Sequence, residues 1–448
     1  MSSDSIAAVV DGLMPQLTEE LVRLTRIPSI SAPGFPVEPI HEACQLVMAL
    51  LRDAGVGNVR TLDLPKTFPV VLGEIPAPPG APTLLLYSHY DVVPIGDESK
   101  WTSPAFEPAE RDGALFGRGI SDSKANVLAH VGAIRAFGGK PPVGITVVIE
   151  GQEEVGSALN TYPLEDPEMF SSDAMVIMDM GSVRPGVPTL TSALRGMAVV
   201  TVSVRTLAGP KHSGQYGGAA PDALIVLLHA LASLHDAHGD VAVPGLRREA
   251  WPGDAYDEAE FRELAEVEPG LPLVGTGGLG ERLWSGPAIT VTGIDAPSVE
   301  KALNAVQPFA RAVLNLRVHP GQDAAEAQEA LVTYLKGLRP MGIALEVTAG
   351  ATGNGFAAET TGAAYTAAKA ALSAAWGAPT VMVGSGGSIP LVNALHRAQP
   401  KAEILLLGAT DGRSNIHAPD ERVMLSEFRN AVVAEAKFFQ QYAAQWKA

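Results

Sequence analysis

Thr83-Leu84-Leu85-Leu86-Tyr87-Ser88-His89-Tyr90-Asp91 is the stretch whose reading decides the fold. The run Thr83 to Tyr87 is apolar without alternation, so a strand here is buried on both faces and calls for helices above and below it. A Pro/Gly-rich turn, Ala77 to Pro82, leads into it. The same signature returns at Gly144 to Ile149 and Ala174 to Met178, with a helical pattern from Ser123 to Phe137 between the first pair. Strand, helix, strand in that order is the grammar of an α/β sheet.

Working outward, Ile6 to Arg26 and Ile40 to Ala54 carry apolar residues at helical spacing, the second ending at Gly55 as a C-cap glycine would require. After Met180 the pattern changes. Leu194 to Thr206 alternates, a Gly/Ser/His-rich stretch follows at Gly209 to Ala220, and Asp222 to His235 reads as a helix. The acidic stretch Glu249 to Glu268 reads as a solvated helix with flanking loop. Strands are expected at Ile289 to Thr292, Arg311 to Val318 and Ile343 to Val347, with a helix from Ala324 to Leu338. The doubly buried grammar then resumes with a helix at Gly362 to Trp376, a strand at Glu403 to Leu407 and a closing helix at Ser426 to Trp446. The expected fold is therefore α/β: a discontinuous domain, residues 1–190 and 351–448, with an α+β domain inserted at 191–350.

Composition narrows the function classes. Hydrophobic residues make up 46% and charged residues 18%, which excludes a disordered chain or a coiled coil. The net charge of −17 repels polyanions, so neither nucleic acid nor an anionic membrane surface is an expected partner. Cys44 is the single cysteine, which rules out an intrachain disulfide or a CxxC metal site and points to a reducing compartment. No run of 18 apolar residues exists, and Met1 to Leu17 lacks the basic start of a secretory signal. A soluble cytoplasmic protein is expected.

The doubly buried strands run directly into ionisable residues: Ser88-His89-Tyr90-Asp91, Glu150-Gly151-Gln152-Glu153-Glu154 and Asp179. In an open parallel sheet the carboxyl ends of the strands form the ligand crevice, so these loops converge. Asp122, on the loop Gly117 to Asp122, and His417, after the strand Glu403 to Leu407, can join them. Carboxylates and imidazoles in one place suit metal-assisted hydrolysis, in which one carboxylate bridges two ions and others cap each ion. Zn²⁺ is the leading choice, Mn²⁺ or Co²⁺ the next. Glu153 and Glu154 point in different directions and can divide the roles of ligand and base. Asp91 can hold the His89 ring through its other nitrogen.

Two other motifs carry less. Gly275 to Gly280 satisfies GxGxxG, yet only Leu273 and Val274 precede it as a strand and Pro287 arrives before a helix forms. Gly384 to Ser388 lacks the GxSxG spacing of a nucleophile elbow, and reads instead as an amide-rich loop that holds a carboxylate.

The runs LLLYSHYDVVP (Leu84 to Pro94), WTSPAFEP (Trp101 to Pro108), LFGRGISDSKA (Leu115 to Ala125), GQEEVGS (Gly151 to Ser157), GGSIP (Gly386 to Pro390) and HAPDERV (His417 to Val423) resemble the co-catalytic zinc peptidases of the M20 family across essentially the whole chain. The GGSIP form and the length resemble its carnosinase-like dipeptidases most. The resemblance implies two Zn²⁺ ions: His89 and Asp179 on one, Glu154 and His417 on the other, Asp122 bridging. It also implies Glu153 as general base, Asp91 as the residue orienting His89, and a cis peptide bond at Asp122-Ser123, where relatives often have Asn in place of Ser123. The inserted domain would be a lid and dimerisation domain. In it, His212 of PKHSGQYGG (Pro210 to Gly218) would stabilise the oxyanion in the partner subunit's site. Arg317, with Gly386, Gly387 and Ser388, would bind the substrate's C-terminal carboxylate. The implied activity is hydrolysis of dipeptides or short peptides by a homodimer, with N-acyl amino acids as the alternative substrates.

Overall fold

In the computed structural model, which describes residues 3–387 and 389–446, the quoted run forms the strand Thr83–His89, buried from Leu84 onward. It lies between two parallel partners, Gly144–Glu150 and Ala174–Met178, and the latter pairs in parallel with Glu403–Leu407. The register sets His89 opposite Glu150. Beyond Gly144–Glu150 the sheet continues antiparallel through Val70–Ile75 and Gly57–Leu62, and on the other side Thr189–Leu194 sets Thr191 against Leu406.

Alternate strand residues, among them Leu84, Leu86, Ile145, Val147, Val176 and Leu405, enter one core with the helices Ser3–Thr25, Glu38–Asp53, Ala125–Arg135, Ala363–Trp376 and Leu425–Gln445. The intervening residues Leu85, Tyr87, Val148, Met175 and Ile177 are equally buried, which explains the absence of alternation in the sequence. Ala125–Arg135 has no solvated polar face because ten of its eleven residues are buried, Asn126 and His130 among them.

The chain separates into two compact units, one of Met1–Ser192, Ala358–Met382 and Leu391–Ala448, the other of Ala193–Ala357 and Val383–Pro390. The second holds a four-stranded antiparallel sheet in the order Ala288–Asp295, Phe309–Val318, Gly196–Arg205, Glu346–Gly353. Ala198, Val200, Val202, Ala312, Leu314 and Leu316 pack on Ala223–Ala232 and Ala324–Gly337, whose N-termini are capped by Asp222 and Asp323.

Several elements depart from the sequence reading. The strand expected at Ile343 to Val347 is instead Glu346–Gly353, because Pro340–Gly342 turns first. An edge at residue 350 would cut this strand, and the segment 383–390 clusters with the second unit. Gly57–Leu62, Val70–Ile75 and the helix Pro390–Ala398 were not foreseen. Glu249 to Glu268 holds only the short helix Glu258–Leu264.

One buried polar contact ties the helical layer to the sheet behind the site. His130 spans Glu435 Oε1 (2.6 Å) and the Tyr87 carbonyl oxygen (3.1 Å), while Glu435 Oε2 has no partner among the described residues. His130→Leu leaves that carboxyl buried alone and should lower stability by about 3 kcal/mol. The double variant His130→Leu/Glu435→Leu should regain more than half, as read from urea unfolding midpoints. A double variant no more stable than the single would show that packing, rather than the orphaned carboxyl, sets the loss.

Candidate active site

His89 ends its strand with Nε2 3.0 Å from Asp122 Oδ1 and 3.1 Å from Asp179 Oδ1. His417 approaches from the far part of the same unit, with Nε2 3.1 Å from both Asp122 Oδ2 and Glu154 Oε2. Asp122 thus presents one oxygen to each imidazole. Two overlapping groups, His89/Asp122/Glu154 and His89/Glu153/Asp179, each offer ligand atoms within 4.8 Å of one another. His89 is fully buried, whereas the His417 side chain is 54% exposed, so the cluster opens on the His417 side.

Asp91 has two tasks, of which the sequence suggested one. Its Oδ1 lies 3.4 Å from His89 Nδ1, and its carbonyl oxygen 3.1 Å from the same nitrogen. Its carboxylate also accepts the backbone N–H groups of Glu153 (3.0 Å) and Glu154 (3.2 Å). One buried side chain therefore sets the ring and the acidic pair together.

The loop from 151 to 157 is fastened elsewhere as well. Tyr87 Oη donates to Glu150 Oε2 (2.7 Å), Ser157 Oγ donates to Glu150 Oε1, and the Phe68 N–H donates to Gln152 Oε1 (3.0 Å). Gly151 lies directly under the Tyr90 hydroxyl, which donates to the Pro69 carbonyl (2.6 Å). Glu421 fixes the Asp122 loop: it accepts from Arg118 Nη1 (2.7 Å) and from the N–H groups of Gly119, Ser121 and Asp122 (2.9, 3.0 and 3.1 Å). The Asp122-Ser123 peptide bond is cis. Glu421 escaped the sequence reading although it lies within the quoted run HAPDERV; nothing local shows that its partners are Arg118 and backbone amides some three hundred residues away.

The electrostatics follow from crowding. Burial pushes the Glu153 carboxyl up to about 9, with the Asp179 charge adding to it. Burial likewise raises Glu154 to about 7, with the Asp122 charge adding and the His417 hydrogen bond opposing. Asp179 is raised by burial. His417 is pushed up to about 10 by its hydrogen bonds to Asp122 and Glu154. Burial would lower His89, but Asp179, Asp122 and Asp91 hold it well above the usual imidazole range. Asp122 is lowered despite burial, because both imidazoles face it. Carboxylates confined together and mutually repelling are the donor set a divalent cation relieves. Three carboxylates and two imidazoles suit zinc, manganese or cobalt.

The structure brings His89, Asp91, Asp122, Glu153, Glu154, Asp179 and His417 together in the first unit. His212, Arg317, Gly386 and Gly387 belong to the second unit, and Ser388 lies outside the described residues. His212 is exposed, its Nδ1 accepting the Gly214 N–H (3.1 Å). Arg317 is half-buried near the end of Phe309–Val318. No strand precedes Gly275, in keeping with the rejection of a dinucleotide loop there.

Comparison with known proteins agrees with this architecture. The model of peptidase family M20/M25/M40 matches residues 85–441. A cysteinylglycine-S-conjugate dipeptidase of Corynebacterium striatum is 40% identical over 412 residues, covering 90% of this chain and 90% of that protein. The human Beta-Ala-His dipeptidase is 28% identical over 397 residues, covering 84% and 78%. Among solved structures, the dipeptidase Dug1p of Saccharomyces cerevisiae superposes with a TM-score of 0.80 at 22% identity, covering 100% of this chain and 99% of that one. Human carnosine dipeptidase 1 gives 0.78 at 23%, covering 99% of each. At these identities the two structures speak for the fold.

A β-carbon at residue 151 would collide with the Tyr90 hydroxyl and come 2.9 Å from the Pro69 carbonyl oxygen. Gly151→Ala should therefore displace the loop carrying Glu153 and Glu154. A shift of about 1 Å can cost roughly a hundredfold in kcat. Tyr90→Phe leaves the ring carbon 2.5 Å from that β-carbon and the Pro69 carbonyl in place, so the double variant should regain less than about tenfold. Equal activity of Gly151→Ala and the native chain in a steady-state assay would dismiss this role of the glycine.

Proposed function

The chain belongs to peptidase family M20/M25/M40, and from that membership we propose that it is a metal-dependent dipeptidase acting on dipeptides with a free C-terminal carboxylate. The observation that carries the reading is Asp122, whose two oxygens each face a different histidine, His89 at 3.0 Å and His417 at 3.1 Å. That arrangement supports a two-ion centre, with zinc the first choice and manganese or cobalt the alternatives. His89 and Asp179 would hold one ion, Glu154 and His417 the other, and Asp122 would serve both. Bound there, such ions acidify water and polarise the scissile carbonyl.

The chain's own residues supply the remaining chemistry. Glu153 takes a proton from the attacking water and passes it to the leaving amine. Asp91 fixes the His89 ring and the backbone of the acidic pair. Arg317 and the loop at Gly386 to Ser388 hold the substrate's carboxylate, and His212 donates to the oxyanion.

The names of the relatives favour dipeptides over N-acyl amino acids, and S-substituted Cys-Gly over other dipeptides. Free, buried Cys44 fits a reducing compartment, hence the cytoplasm. No helix among the described residues is long and apolar enough to cross a membrane.

We further place the active form as a homodimer joined through the second unit. The strand Ala288–Asp295 ends its sheet and exposes Val291 and Ile294, and the helix Ala223–Ala232 exposes Ile225 and Leu228. Edge strands and apolar helix faces of this kind are commonly covered by a symmetry mate.

In a substrate panel, Cys-Gly and S-benzyl-Cys-Gly should be hydrolysed at least about tenfold better, by kcat/KM, than N-acetyl amino acids. Glu153→Gln should lose roughly a hundred- to ten-thousand-fold in kcat while retaining its metal by elemental analysis. A tenfold preference for the acyl compounds, or an active Glu153→Gln, overturns the substrate class or the base respectively.

Mixing two inactive variants tests the dimer. His212→Ala and Glu153→Ala, allowed to exchange subunits, should recover roughly a quarter of native activity, since random exchange makes half the dimers mixed and gives each one intact site. Confirmed exchange with no recovery would remove His212 from the partner's site.

A further inference from the structure

The run Trp101-Thr102-Ser103 has no part in the chemistry derived so far, yet its contacts converge on one ligand loop. Of the five candidate metal ligands in the first unit, four have side chains at most 15% exposed, and His417 alone is open, at 54%. The His89 ring is held from behind through Nδ1 by Asp91, whereas Nδ1 of His417 has no such partner among the described residues. A histidine ligand is ordinarily oriented through its second ring nitrogen. With neither packing nor that contact, the aim of His417 depends on the backbone that carries it.

That backbone needs outside support. Asn415, His417 and Asp420 have φ of 51°, 62° and 57°, a left-handed region that a β-carbon disfavours. Residues 418 and 420 are gripped from some three hundred positions earlier. Asp420 turns both its oxygens to Thr102: Oδ1 accepts the Thr102 N–H (3.0 Å) and Oδ2 the Thr102 hydroxyl (2.6 Å). Arg111 Nη2 stands 3.5 Å from the same Oδ1, and Arg111 is itself fixed by Ser103 Oγ (3.0 Å) and by the face of Phe116 at 3.8 Å. Arg118 donates through Nη2 to the Ala418 carbonyl (3.1 Å) and lies 5.2 Å over the ring of Trp101, whose Nε1 donates to the Ile95 carbonyl (2.9 Å). Three consecutive residues thus serve one loop: Trp101 through Arg118, Thr102 directly, and Ser103 through Arg111.

We propose that Trp101-Thr102-Ser103 is a clasp for the His417 loop, and that Asp420, through Thr102, is the positioning residue that sets how tightly the ion between Glu154 and His417 is held. This rests on the two-ion reading of the site. Glu421, next in the chain, has its own bonds to Arg118 and to the N–H groups of the Asp122 loop, so loss of Asp420 leaves the shared carboxylate in place. The centre then joins one ion on buried ligands to one whose retention is decided at the surface, where Thr102 is exposed.

In the test, native protein, Asp420→Ala, Asp420→Asn and Thr102→Val are loaded with zinc, dialysed against graded chelator and analysed for metal. In Asp420→Ala the chelator concentration that strips the weaker ion should fall at least about tenfold, as when an outer partner of a metal ligand is lost, while that for the tighter ion moves less than about threefold. Thr102→Val, which removes one of the two bonds from the other side, should act in the same direction by less, and it carries the test if Asp420→Ala does not fold. Asp420→Asn keeps an oxygen for the Thr102 N–H and should stay within about threefold of native. As a readout that needs no metal, amide hydrogen exchange of the metal-free protein over residues 412–421 should quicken at least about fivefold in Asp420→Ala, with the strand Thr83–His89 unchanged. An unchanged weaker ion in both Asp420→Ala and Thr102→Val would overturn the proposal. So would equal weakening of both ions, which makes Asp420 a general support, or an Asp420→Asn as weak as Asp420→Ala, which makes its charge the cause. If the native protein binds fewer than two ions, the two-ion reading fails by itself, and the exchange rate over residues 412–421 alone decides whether the clasp holds the loop.

Discussion

The mutual repulsion of buried carboxylates is the constraint around which the first unit is organised. Glu153, Glu154, Asp122 and Asp179 converge where four parallel strands end, and left to themselves they would separate or draw in water. Asp122, Glu153 and Glu154 stay because each is held by a backbone segment that is itself held by another carboxylate. Asp91 accepts the N–H groups of Glu153 and Glu154, Glu421 accepts those around Asp122, and Glu150, which opens the acidic loop, accepts from Ser157 at the loop's end and from Tyr87 on the neighbouring strand. These three supporting acids have their hydrogen bonds satisfied by neutral donors or by Arg118, so they add rigidity without adding to the competition for a cation.

This arrangement explains which parts were legible in the sequence. A strand buried on both faces leaves an unbroken apolar run, and an ionisable residue immediately after such a run stands out, as His89 and Asp179 do. The edge strands Gly57–Leu62 and Glu346–Gly353 left no such mark: one is half exposed and the other is small and polar, so their pairing is set by neighbours rather than by their own hydropathy. Supporting residues are hidden for a different reason. Glu421 meets Arg118 and Gly119 across some three hundred residues, and nothing local separates it from an ordinary surface glutamate.

The two units place their chemistry on different kinds of scaffold. In the first, the reactive side chains sit on loops that leave a parallel sheet at a common edge, and long-range contacts such as His130 with Glu435 and Tyr87 brace that edge from behind. In the second, Arg317 lies opposite Met197 within an antiparallel pair, where register fixes its neighbours. Loops permit donors to be aimed from several directions at one point, which a metal centre needs.

The same logic accounts for where the chain tolerates unsatisfied polarity. Asp91, Glu421 and Glu150 are buried and paired, as expected of groups whose task is to keep others in place. Arg195 is buried with Nε and Nη1 unpaired among the described residues, so the second unit carries a cost in stability that the supporting acids of the first avoid.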